Sequence, residues 1–112
     1  MNTPAAGCAD LLLQYAALLQ QSQQLLDAAR KGDWDRVVEL EPVYAATSQT
    51  LQEQERECKW TEAAQLTKRE LIRAILAADQ ETRQLVEPRR LELSQIIGSL
   101  GTEMKLQKAY EG

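Results

Sequence analysis

Arg30-Lys31-Gly32-Asp33-Trp34-Asp35 separates two leucine-rich helical stripes and decides how they are arranged. Arg30 and Lys31 put positive charge on the last turn of the first helix, where unpaired carbonyls accumulate. Gly32 can take the left-handed backbone that closes a helix without a Cβ penalty. Asp33 is placed to cap the next helix, and Asp35 adds negative charge to its first turn. A link this short folds the second helix back against the first. A hairpin of long amphipathic helices without reactive side chains points to binding rather than chemistry.

Upstream, Thr3-Pro4 reads as a helix start, with Thr3 as cap and Pro4 at the first helical position. The first stripe runs Cys8, Leu11/Leu12, Tyr15, Leu18/Leu19, Ser22, Leu25/Leu26, Ala29. Its steps of three and four residues mark one helix face and predict a helix over about 4–31. The second stripe runs Trp34, Val37/Val38, Glu41, Tyr44/Ala45, Ser48, Leu51, Glu55, Cys58 and predicts a helix over about 34–58. Glu41 falls on its apolar face, and Pro42 removes one backbone bond and should kink it. Thr61 can cap a third helix, although a continuous rod through Trp60 fits the local signals too.

The third stripe runs Leu71/Ile72, Ile75/Leu76, Asp79, Thr82, Leu85/Val86, Arg89, Leu93, Ile96/Ile97, Leu100. One phase continues across Pro88, so a single kinked helix over about 61–100 is expected. Gly98 and Gly101 loosen or end it. A short tail helix over about 102–111 would carry Met104, Leu106, Ala109 and Tyr110, and is marginal unless it docks. The fold class is therefore all-α: one domain, an antiparallel bundle of three main helices plus a short C-terminal helix.

Aromatic residues make up 4% of the 112 and Phe is absent, so the core must be mostly aliphatic. The net charge of -4 gives no basic face for phosphates, which argues against nucleic acid as a partner. Residues 1–58 hold nine acids against four bases, and residues 59–112 hold eight against nine. This asymmetry suits acidic helices packed beside basic ones, or a patch that steers a partner. Cys8 and Cys58 form no metal pattern and read as reduced thiols of a cytoplasmic protein. Met1 to Asp10 has no basic n-region, so no signal peptide is expected. No apolar run approaches the roughly 20 residues of a membrane span.

Histidine is absent, which removes the commonest general base and metal ligand at neutral pH. Neither cysteine has a neighbouring activator, and no phosphate loop, dinucleotide fingerprint or calcium loop is present. Glu39/Glu41 and Glu53/Glu55/Glu57 are spaced two apart, so neighbours diverge around a helix and read as solvated faces. No catalytic, cofactor-binding or metal-binding residue is nominated, and the chain is not expected to be an enzyme.

Trp34 is expected to plug one end of the bundle. Trp60, beside a polar run, suits packing at the opposite end or contact with a partner. Tyr110 reads either as part of a frayed tail or as a docking anchor. Leu71/Ile72, Ile75/Leu76 and Ile96/Ile97 widen the third stripe beyond one seam. They fill a three-helix core, or leave a groove for a partner helix or a self-association face that would give a homodimer.

Taken in order, these segments resemble the flagellar export chaperone family FliT over nearly the whole chain. The likeness rests on Leu25-Leu26…Lys31-Gly32-Asp33-Trp34-Asp35, then Val37-Val38-Glu39-Leu40-Glu41, then Ile72…Ile75-Leu76. It continues through Leu91-Glu92-Leu93…Ile96-Ile97-Gly98 to Lys105…Lys108-Ala109-Tyr110. The resemblance implies a cytoplasmic type III export chaperone that holds the C-terminal segment of the filament-cap protein FliD and prevents premature assembly. It implies delivery to the export gate FlhA and contact with the export ATPase FliI. In some bacteria the family also restrains the flagellar master regulator. In this family a mobile C-terminal helix masks the binding surface. Ile72, Ile75, Leu76, Ile96 and Ile97 become expected partner contacts, and Tyr110 matches the tail tyrosine linked to gate docking. Members often continue well beyond the Ala-Tyr, whereas this sequence stops at Gly112, so a shorter mask is expected. The competing reading is a small helical adaptor that oligomerises through the same stripes, outside secretion.

Overall fold

A computed structural model describes residues 4–89, Leu106 and residues 108–110, with side chains described from Ala9 onward. All regular structure among the described residues is helical. Helix α1 spans Pro4–Arg30, α2 spans Trp34–Glu55, and α3 spans Glu62–Val86. A single 3-10 turn, Glu87–Arg89, follows. Leu106 and residues 108–110 are helical and belong to the short C-terminal helix.

The α1–α2 junction forms as its residues dictate. Gly32 takes a φ of 73°. Its N–H donates to the Ala29 carbonyl at 3.1 Å, and the Asp33 N–H donates to the Ala28 carbonyl at 2.9 Å. These two bonds close α1 on a left-handed glycine and satisfy carbonyls its last turn would leave unpaired. The Asp33 side chain then accepts from the Arg36 N–H at 3.2 Å and caps α2. Thr61 caps α3 by accepting from the Ala64 N–H at 3.1 Å. That cap, after the turn at 56–57, makes α2 and α3 separate helices rather than one rod.

Two expectations change. The third helix was expected as one kinked helix through Pro88 to residue 100; its α-helical geometry gives way after Val86 to the 3-10 turn at Pro88, and residues 90–100 lie outside the described residues. Glu87 keeps helical angles, φ -51° and ψ -46°, and its N–H still reaches the Arg83 carbonyl; Pro88 supplies no N–H for the next bond, and the ladder passes into the 3-10 turn. Leu93, Ile96, Ile97, Gly98, Leu100, Gly101 and Met104 lie outside the described residues. The second change is at Cys58, expected as a reduced thiol but disulfide-bonded in the structure. The hairpin accounts for it. The return of α2 brings the segment after Glu55 to the end where α1 begins, and the other cysteine of the sequence, Cys8, sits in that part of α1.

Helix α1 is the central element. It packs against both α2 and α3, whereas those two do not approach each other at backbone distance. The path is up, down, up: Arg30 at the end of α1 reaches Glu81 late in α3, Nε to Oε2 at 3.0 Å. The core lies where the three meet. It holds Leu11, Tyr15, Leu18 and Leu25 of α1, Val37, Tyr44 and Leu51 of α2, Ile72 and Ile75 of α3, and Leu106 of the C-terminal helix.

Candidate partner-binding surface

The seam between α2 and α3 is bridged by side chains. Near its Trp60 end, the Tyr15 hydroxyl donates to Glu55 Oε1. Lys68 Nζ donates to Glu55 Oε2 at 2.8 Å and lies 4.9 Å from the centroid of the Trp60 ring. Lys68 is buried, so its ammonium depends on that carboxylate and that ring for the solvation water would give. Burial, then the hydrogen bond to Glu55, then the Glu55 charge push the Tyr15 phenol far above the usual range. Toward the α1–α2 turn, the Tyr44 hydroxyl donates to Asp79 Oδ2 at 3.0 Å, again buried. Arg89 stacks over Trp34 at 5.3 Å and covers that end of the bundle.

The C-terminal helix lies against this seam. Leu106 is fully buried, and Ala109 and Tyr110 are partly buried against the core. Lys108 and Ala109 share a surface recess with Gln52, Glu55 and Arg56. The Tyr110 ring sits on α3: Arg73 Nη2 donates to its hydroxyl at 2.8 Å. The guanidinium groups of Arg69 and Arg73 stand 5.3 Å and 5.8 Å from the ring centroid. The hydrogen bond to Tyr110 raises the Arg73 pKa further. The C-terminal helix therefore touches both α2 and α3.

Of the partner residues expected from sequence, Ile72 and Ile75 are fully buried in the core, and Leu76 is partly buried beside it. Tyr110, from the C-terminal helix, is seated on α3 through Arg69 and Arg73. Ile96 and Ile97 fall outside the described residues. Sequence reading missed Arg69 and Arg73 as the seat of Tyr110, although their spacing of four on one helix face was visible. It also read Glu55 as solvated, because nothing local shows that Tyr15 and Lys68 converge on it. Among the described residues no cluster of acids and cysteines has the makings of a metal site, and no helix is long and apolar enough to cross a membrane.

The family model described as "Flagellar protein FliT" matches residues 12–112. Similar relatives, each called flagellar protein FliT, come from several bacteria. That of Yersinia enterocolitica is 32% identical over 101 residues, covering 89% of this chain and 83% of its own. That of Pectobacterium carotovorum is 28% identical over 100 residues, covering 89% and 79%. That of Photorhabdus laumondii is 26% identical over 101 residues, covering 90% and 81%. No solved structure gives a significant match. With the family model spanning all but the first eleven residues, the chain belongs to the FliT family of flagellar proteins.

Proposed function

We propose that this chain is a cytoplasmic flagellar export chaperone that holds the C-terminal region of the filament-cap protein FliD. It keeps that region from assembling prematurely and hands it to the export gate FlhA, with the export ATPase FliI as a further contact. The observation that carries the reading is the short C-terminal helix seated on the α2–α3 seam through Leu106, Ala109 and Tyr110. Leu106 is its buried aliphatic anchor, and full burial of a leucine is worth about 2 kcal/mol. The Arg69 and Arg73 contacts to Tyr110 are exposed and are weakened by solvent screening. A longer amphipathic client helix offers more apolar surface than this and can take the same place by mass action. On this reading Ile72, Ile75 and Leu76 receive the client, with Ile96 and Ile97 continuing the same stripe. Tyr110, once released from Arg73, is free to meet the gate. Cytoplasmic residence implies that the Cys58 disulfide opens in the cell, because thiols are kept reduced there.

Calorimetry with a peptide from the C-terminal region of the same organism's FliD tests the reading. The wild-type chain should bind at micromolar affinity or tighter, and deletion of residues 102–112 should tighten binding. Tyr110→Ala should retain it. No binding, even after the deletion, would sink the chaperone reading and leave a self-associating adaptor, which sedimentation would reveal.

A further inference from the structure

Cys58 is disulfide-bonded, and Cys8 is the other cysteine of the sequence. The bond ties the start of α1 to the link between α2 and α3. It closes a loop of about fifty residues that takes in the Gly32 turn and all of α2. The link carries no helix over residues 58–61, and Arg56, Glu57, Lys59 and Thr61 are exposed along it. Small reagents in solution therefore reach the segment, while Cys58 itself is partly buried against the core. The neighbours of Cys58 form the surroundings of the C-terminal helix. The Cys58 N–H donates to the Glu55 carbonyl at 3.1 Å. The Glu55 carboxylate holds Tyr15 and Lys68, and the Trp60 ring faces the Lys68 ammonium. Glu55 and Arg56 belong to the wall of the recess that Lys108 and Ala109 complete.

We propose that Cys8 and Cys58 are a reversible oxidation site, closed by a peroxide and opened by a low-molecular-weight thiol, and that the closed bond clamps the C-terminal helix in its seat. A cell interior keeps thiols reduced, and the disulfides that do form there are usually transient and redox-sensing. In closure, one thiolate attacks a peroxide oxygen, the O–O bond breaks, and a sulfenic acid forms as the first water leaves. The other thiolate attacks that sulfur, the S–S bond forms, and the second water departs. The two thiols have then given up two electrons and two protons. In opening, a glutathione thiolate attacks one sulfur and forms a mixed disulfide. A second glutathione releases it as glutathione disulfide, and both cysteines regain their protons. With the bond closed, the link cannot move away from α1, so Glu55 keeps Lys68 and the recess keeps its α2 wall. With the bond open, the link is free to fray from residue 56 onward, and the C-terminal helix loses part of its support. On the chaperone reading above, oxidation holds the chain shut against a client.

The test compares the full wild-type chain opened with glutathione and closed with hydrogen peroxide, so that it depends on no variant. Closure should lower the intact mass by two hydrogen atoms in a monomer, and glutathione should restore it. The closed chain should melt about 10 °C above the open one. Amide hydrogen exchange at residues 108–110 should be about 10-fold slower in the closed chain. Cys58→Ala, which cannot close the bond, should exchange like the open wild type with or without peroxide. The FliD C-terminal peptide should bind the open chain more tightly than the closed one. Equal exchange at residues 108–110 in the two states of wild type overturns the proposal, whatever the melting temperatures do. A peroxide product that is a cross-linked dimer overturns it too. If exchange differs while the peptide binds neither state, the chaperone reading falls and the oxidation site stands.

Discussion

Glu41 occupies an apolar position of α2, and its burial has a thermodynamic signature of its own. Desolvation holds its pKa above the ordinary 4.5. Between that value and the raised one, the native state binds more protons than the unfolded chain, so stability falls as pH rises. The stabilising protonation is complete below the unfolded pKa and is lost as pH climbs through the folded one. Melting temperatures measured from pH 4 upward should decline through this window more steeply for wild type than for Glu41→Gln. Parallel profiles would show that Glu41 does not hold its proton. The oddity of Glu41 was legible in sequence because it interrupts a stripe. The role of Glu55 was not, because its partners lie 40 residues upstream and 13 downstream.

At the scale of the element, boundaries written in cap chemistry were readable. Gly32, Asp33 and Thr61 all act as their side chains suggest. Gly32 offers a clean test: a Cβ built there meets nothing within 4 Å, so only the backbone angle opposes substitution. Gly32→Ala should cost about 1 kcal/mol in urea unfolding, with unchanged m-value. A neutral result would mean that the turn relaxes out of the left-handed region at no cost. Periodicity reports which side chains share a face and is blind to the missing N–H of Pro88, where α3 passes into a 3-10 turn. The disulfide at Cys58 was misjudged for a related reason: separation along the chain says little about separation in a hairpin.

For the whole molecule, Tyr15, Glu55 and Lys68 matter because they tie one side chain from each helix into a single network. Lys68→Met would strand the Glu55 carboxylate beside buried Tyr15. Breaking a fully buried pair costs about 3–5 kcal/mol. Glu55 keeps 18% of its side-chain surface exposed, so about 2 kcal/mol is expected in chemical denaturation. Loss of under half a kcal/mol would make the pair an ornament of the surface rather than a tie. The bundle as a whole was legible from three stripes and the short link at Gly32, while the break before Thr61 stood open against a continuous rod. The placement of α1 between the others was not, since the stripe that read as wider than one seam was the third.

That placement bears on the order in which the chain acquires its shape. Contacts between α1 and α2 close around a three-residue link, whereas those between α1 and α3 join residues about fifty apart, as Arg30 and Glu81 are. Local pairings cost less loop entropy, so the hairpin condenses ahead of α3. During synthesis it is complete once Glu55 is clear of the ribosome, while the other side of α1 still waits for its cover. A newborn chain is thus a sticky hairpin first, and one side of α1 stays bare until the helix that bears Ile72 and Ile75 arrives.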